Sequence, residues 1–178
     1  MRRIKLKEAK SSIIYEMNEQ YNNELESVHI YEQLSHKANF LGFNGLAYYF
    51  HEAGEEENEH AEKFAKIIYD LESEPIINLN ISNIYAPADF KGLLDAALNH
   101  EKKITSDIQN LLMKAKETDD FITENFLLGF MKEQIEEESK INKIVSRVEL
   151  LSDDNPNYLS IDRELEEEME EEMEEEED

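Results

Sequence analysis

Residues 73 to 88, Ser-Glu-Pro-Ile-Ile-Asn-Leu-Asn-Ile-Ser-Asn-Ile-Tyr-Ala-Pro-Ala, constrain the fold more than any other stretch. They carry Pro75 and Pro87 near their ends and show no helical period, whereas the chain on either side is rich in it. An extended run of about sixteen residues reaches ~53 Å, and a helix of about 27 residues is only ~40 Å long. The connection can therefore cross a whole helix bundle. Before it, apolar and aromatic residues recur at helical spacing from about Ser11 to Phe40, as in Ile14, Met17, Tyr21, Leu25, Val28, Tyr31 and Leu34. Leu41 to Gly45 break that run, and a second helical stretch continues to about Leu71. After the connection, a third helix is expected from about Asp89 to Lys116, a turn at Glu117 to Asp120, and a fourth from about Phe121 to Leu151, ended by Asn155-Pro156-Asn157. Short, long and short connections predict an all-α, single-crossover four-helix bundle. A short fifth helix after Tyr158 is expected, and a strand at 76 to 85 stays open.

Composition agrees with one helical domain. The 178 residues include five Gly and three Pro, few breaks for so long a chain, and 40% hydrophobic residues suffice for one sizeable core. The formal charge is -25. Residues 162 to 178 hold thirteen acids and one Arg, so this Glu/Met-rich tail carries -12 and the bundle domain, 1 to 161, carries -13. Such a charge repels phosphate backbones and anionic membranes, so neither nucleic acid nor membrane is an expected partner, and cations are. With no Cys, disulfides, thiolate zinc sites and iron–sulfur clusters are excluded, and any metal must take O and N ligands. The basic Met1 to Lys10 segment leads into no continuous apolar run, so it does not read as a secretory signal, and a cytoplasmic location is expected.

Glu57-Asn58-Glu59-His60 places Glu and His three residues apart, on one face of the second helix. The wider spacing says more. Glu24 and Glu57 are 33 residues apart, and so are Glu101 and Gln134. Each pair folds back near its midpoint, which puts its members at one height, and each offers another polar group three residues on, His60 in one hairpin and Glu137 in the other. The result is a twofold-related polar cage. Burying such carboxylates together costs several kcal/mol per charge unless cations are bound or the pKa values rise.

At these residues the chain resembles the bacterial non-haem ferritins. The likeness runs from Met17-Asn18-Glu19-Gln20-Tyr21-Asn22-Asn23-Glu24-Leu25 through His100-Glu101 and Glu133-Gln134-Ile135-Glu136-Glu137-Glu138 to Ile161-Asp162-Arg163-Glu164-Leu165. It implies a ferritin-like bundle in which Glu24, Glu57 and His60 hold one iron, and Glu57 bridges to a second held by Glu101 and Glu137. Gln134 would line the site. Tyr31 is similar to the family's tyrosine beside the iron pair, and Glu56, Glu133 and Glu136 resemble its third iron site. Asn58 stands where bacterioferritins have a haem-ligating Met, so no haem is expected. His29, His36, His51 and His100 match no ligand position, and Met131 reads as core.

The resemblance implies iron storage: Fe(II) is oxidised by dioxygen or peroxide in a ferroxidase reaction and kept as mineral in a homo-oligomeric shell of about 24 chains. One departure stands out. Alignment through Gln134 gives Glu124 followed by Leu127 where ferritins often have two pore-lining acids. That motivates an alternative, a non-catalytic iron- or cation-binding shell. A rubrerythrin-like peroxidase would call for a cysteine-ligated iron module, which this chain lacks.

Overall fold

In the computed structural model, residues 2–79, 81–82, 84–151 and 157–176 are described, with side chains between 12 and 168. The helices are α1 (Arg2–Leu41), α2 (Asn44–Asp70), α3 (Phe90–Glu117), α4 (Phe121–Glu149) and α5 (Tyr158–Glu176). Local chemistry sets their ends. Gly42, at φ 84°, closes α1 with bonds from its own N–H to Asn39 O and from Phe43 N–H to Ala38 O, both 3.0 Å. Glu72 and Asp119 do the same for α2 and α3, at φ 58° and 55°. Asp89 caps α3 by accepting from Gly92 N–H at 2.9 Å, and Asp120 caps α4 by accepting from Thr123 N–H at 3.2 Å.

The two hairpins, α1 with α2 and α3 with α4, assemble into an all-helical bundle. The α2–α3 connection is extended, and α1 holds it in place. Ile76 and Asn78 donate their backbone N–H groups to the side-chain oxygens of Asn18 and Asn22, at 2.7 and 2.6 Å, and Asn22 Nδ2 donates to Ile76 O at 2.8 Å. Asparagine amides thus satisfy backbone groups that a neighbouring strand would otherwise take. No strand forms at 76–79, 81–82 or 84–85, the described residues of the stretch where one stayed open.

The core divides in two. An upper cluster joins Leu34, Leu46, Phe50, Phe90, Leu94, Ile141 and Val148, and a lower one joins Ile13, Met17, Phe64, Ile68, Ile104, Leu127 and Phe130. The buried polar groups Glu24, Glu57, His60, Glu101 and Gln134 belong to neither. Leu127 is wholly buried in the lower cluster, so in this fold it lines core and not a surface pore, while Glu124 pairs with Lys116 at 3.8 Å.

Helix α5 closes the upper end. Ile161 and Leu165 join the upper cluster, Tyr158 stacks on Phe90 at 5.2 Å, and Asp162 Oδ1 accepts from Leu46 N–H at 2.9 Å. Close approach requires Gly45: a Cβ there would lie 1.9 Å from Asp162 O and 2.8 Å from Glu166 N, both backbone atoms. Gly45→Ala is expected to lift α5 and cost roughly 1–3 kcal/mol. Urea denaturation gives the loss. Hydrogen exchange should place it in residues 158 to 168, and protection unchanged there would refute the account.

Candidate metal centre

Each helix of the bundle sends polar side chains to the layer between the two apolar clusters. Helix α1 supplies Glu24, α2 supplies Glu57 and His60, α3 supplies Glu101, and α4 supplies Gln134 and Glu137. Glu24 and Gln134 are 0% exposed, Glu57 and Glu101 2%, and His60 3%. Ligand atoms of Glu24, Glu57 and His60 all lie within 4.8 Å of one another, as do those of Glu57, Glu101 and Glu137. Glu57 belongs to both groups.

Hydrogen bonds hold the cage from outside. Gln20 Nε2 donates to Glu24 Oε1 at 2.7 Å, Gln134 Nε2 donates to Glu101 Oε2 at 2.5 Å, and the Tyr31 hydroxyl donates to Glu101 Oε1. His60 Nε2 lies 3.2 Å from Glu137 and its Nδ1 3.4 Å from Glu57. Among the described residues, two buried acceptors find no donor, Glu24 Oε2 and Gln134 Oε1. A cation supplies what both lack, so the donor set fits a hard metal ion with oxygen ligands and one imidazole.

The electrostatics say the same. Burial first, and then the Glu57 charge, push the Glu24 carboxyl well above the usual carboxylate range. Burial and the Glu101 charge do the same to Glu57. Burial raises Glu101 to about 7, against the hydrogen bond from Tyr31. At His60 burial favours the neutral ring, but the hydrogen bond and charge of Glu137 outweigh it and its pKa ends above the ordinary value. Burial also raises the Tyr31 phenol, helped by Glu101. Glu24, Glu57 and Glu101 therefore hold their protons more tightly than free carboxyls do, and a cation would displace them.

The other sequence candidates fall outside this layer. Glu136 is exposed, and Glu56 and Glu133 are half-buried at its edge, where Lys140 and Lys63 bind them. His36 and His51 are exposed, His29 lies 3.5 Å from Glu32, and Met131 lies against the lower cluster. His100 is different: its Nε2 sits 2.7 Å from Ser27 Oγ and its ring meets Tyr31 edge-on at 6.0 Å. Burial holds it down to about 4, so it is a neutral support for Tyr31. The sequence assigns no role to Gln20 or Ser27, and His100, which matches no ligand position, packs against Tyr31. Gln20 was findable, since it lies four residues before Glu24 on the same helical face.

A cavity of ≈ 1020 Å³ opens between α2 and α4. Tyr31, Glu57, Glu101 and Glu137 line it together with Leu165 and Glu168 of α5, so the cage communicates with the α2–α4 face. Among the described residues no helix is long and apolar enough to cross a membrane.

Comparison with known proteins places this geometry. Residues 14–151 match the model of the ferritin-like domain. A probable bacterial non-heme ferritin-like protein of Haemophilus influenzae is 31% identical over 158 residues, which cover 86% of this chain and 93% of that protein. The bacterial non-heme ferritin of Escherichia coli O6:H1 is 30% identical over 156 residues, 88% of this chain and 94% of its own. In three dimensions an open-pore ferritin of Archaeoglobus fulgidus superposes with a TM-score of 0.78 at 24% identity, over 88% of this chain and 97% of that one.

Proposed function

This chain belongs to the ferritin-like domain family, and from that we propose that it stores iron by oxidising Fe(II) at the cage between its four long helices. The observation that carries the reading is the buried layer itself. Carboxylates at 0–2% exposure, with two buried acceptor atoms that find no donor among the described residues, make sense as ligands for a cation.

Fe(II) is the substrate. Glu24, Glu57 and His60 take one ion and Glu57, Glu101 and Glu137 a second, with Glu57 shared and Gln134 orienting Glu101. Hard oxygen donors favour Fe(III) over Fe(II) and so lower the cost of oxidation. Each pair of Fe(II) ions gives up two electrons, which with two protons reduce one dioxygen to hydrogen peroxide or one hydrogen peroxide to water. Protons displaced from Glu24, Glu57 and Glu101 are available on the spot. Tyr31, hydrogen-bonded to Glu101, is placed to pass an electron or hold that carboxylate. Fe(III) then leaves for a mineral in a homo-oligomeric shell of about 24 chains. Exposed Phe40, Tyr85 and Leu150, each above 80%, suit contacts between copies. The outer acids Glu56, Glu133 and Glu136 are read as a transit site. Residues 162–178 are read as an acidic segment that gathers cations, its packed part reaching Leu165. No haem is involved in this reading, and a cytoplasmic setting suits it.

Stopped-flow absorbance after mixing Fe(II) with the metal-free protein in air tests the proposal. Oxidation should outpace iron in buffer, with a fast phase of about two Fe(II) per chain. A rate no faster than buffer leaves only a cation-binding shell.

A further inference from the structure

Glu24 is held by a string of side-chain amides on its own helix. Asn23 and Glu24 lie three and four residues after Gln20 on α1, both within its reach. Gln20 Nε2 donates to Glu24 Oε1 at 2.7 Å, and Asn23 Nδ2 donates to Gln20 Oε1 at 3.3 Å. An amide has a donor end and an acceptor end. Asn23 takes the acceptor end of Gln20, so the NH₂ group of Gln20 is turned towards Glu24. Glu24 Oε2, on the same fully buried carboxylate, finds no donor among the described residues. The two oxygens of Glu24 are thus treated differently. Glu101, its counterpart in the other hairpin, accepts at both oxygens, from Tyr31 at Oε1 and from Gln134 at Oε2.

We propose that Gln20 is a positioning residue that occupies one oxygen of Glu24 and so limits the first half of the cage to a single donor atom from that carboxylate. The inference rests on the cage being a cation site and deepens that reading by stating which ions its first half takes. With Oε2 alone from Glu24, one oxygen from Glu57 and one ring nitrogen from His60, the protein offers three donors. That count leaves positions open for water and an oxidant, and it suits an ion content with four or five ligands. Mn(II), which prefers six oxygens, is served poorly. Released from Gln20, the carboxylate is free to turn and grip an ion with both oxygens, which raises the ligand count and favours Mn(II). Gln20 is 3% exposed, so water does not compete for its place on Glu24. Asn23 is half-buried, at the outer end of the string, and can be changed without opening the core.

The test uses the full assembled protein with Co(II), whose visible absorption weakens as its ligand count rises, and with Zn(II) and Mn(II) in competition. Anomalous diffraction assigns each ion to its half of the cage. Gln20→Met keeps the side chain's length and removes its donor, and Asn23→Leu leaves Gln20 in place but frees its amide to turn. In the parent, Glu24 should hold the ion through one oxygen. In Gln20→Met both oxygens should lie on it, Co(II) absorption should weaken, and Mn(II) should gain on Zn(II) in the first half by about tenfold. Asn23→Leu should move both readouts the same way by less. The second half, at Glu57, Glu101 and Glu137, should keep its ion in both variants, which reports an intact fold. A first half that keeps the parent's spectrum and Mn(II)-to-Zn(II) preference in Gln20→Met overturns the inference alone. An equal loss of both ions there does so too, since Gln20 would then be only a packing support. A cage that takes no ion in any chain, the parent included, removes the cage reading and this inference with it.

Discussion

Glu57→Ala is expected to lower the proposed rate of Fe(II) oxidation by roughly 10²-fold or more and to strip cations from both halves of the cage. Glu57 is the one residue whose carboxylate belongs to both ligand groups among the described residues. Loss of Glu137 should weaken the second group and leave Glu24, Glu57 and His60 intact, and loss of the exposed Glu136 should change oxidation little. A collapse of the fold would mimic the effect, so Glu57→Gln, which fills the same volume with a neutral amide, serves as the folding control. It should lose the shared anionic ligand as Glu57→Ala does, yet melt close to the parent when both are free of metal. Stopped-flow oxidation, Zn(II) titration and thermal melting together decide. An oxidation rate within a factor of about two of the parent's would show that Glu57 is not the shared ligand.

How much of this was legible in the sequence follows from what each signal depends on. The bundle and its crossover were legible because Pro75, Pro87 and the helical period act locally, through backbone donors and side-chain direction. The cage was legible because equal 33-residue spacings across two hairpins fix the relative height of Glu24 with Glu57 and of Glu101 with Gln134. Lateral detail was not. Lys63 meets Glu133, and Ser27 meets His100, across helices whose rotation no local pattern records. The same limit shaped the reading of Leu127. Alignment shows that it stands where a second pore acid is often found, and only the packed structure shows that it joins the lower cluster with Phe130. The connection at 76 to 85 looked open to strand formation because nothing local shows that Asn18 and Asn22, more than fifty residues earlier, satisfy its backbone.

The metal-free protein is expected to lose the cage's contribution to stability as pH rises from about 4.5 through about 7, and divalent cations should reverse the trend. The sign follows from the cage. Glu101 titrates at about 7 in the folded chain against 4.5 as its ordinary value, and Glu24 and Glu57 are raised as well. A carboxyl whose folded pKa is raised binds its proton more tightly in the native state than in the unfolded one. Its contribution is complete below the unfolded pKa and disappears as pH climbs through the folded one. For Glu101 the interval from 4.5 to about 7 corresponds to roughly 3 kcal/mol, an upper figure because neighbouring carboxyls share the same protons. A cation takes over from those protons at high pH, so loading with Zn(II) should flatten or invert the slope. Glu101→Gln isolates the effect. Its neutral amide cannot ionise, and its NH₂ group can donate to Gln134 Oε1, which finds no donor among the described residues of the parent chain. The variant should match the parent at pH 5, exceed it at pH 8 when both are metal-free, and fall below it once Zn(II) is added. Melting at fixed protein concentration across that range reads all three, and a parent chain whose metal-free stability rises between pH 5 and 8 while the variant's rises in parallel would refute the assignment.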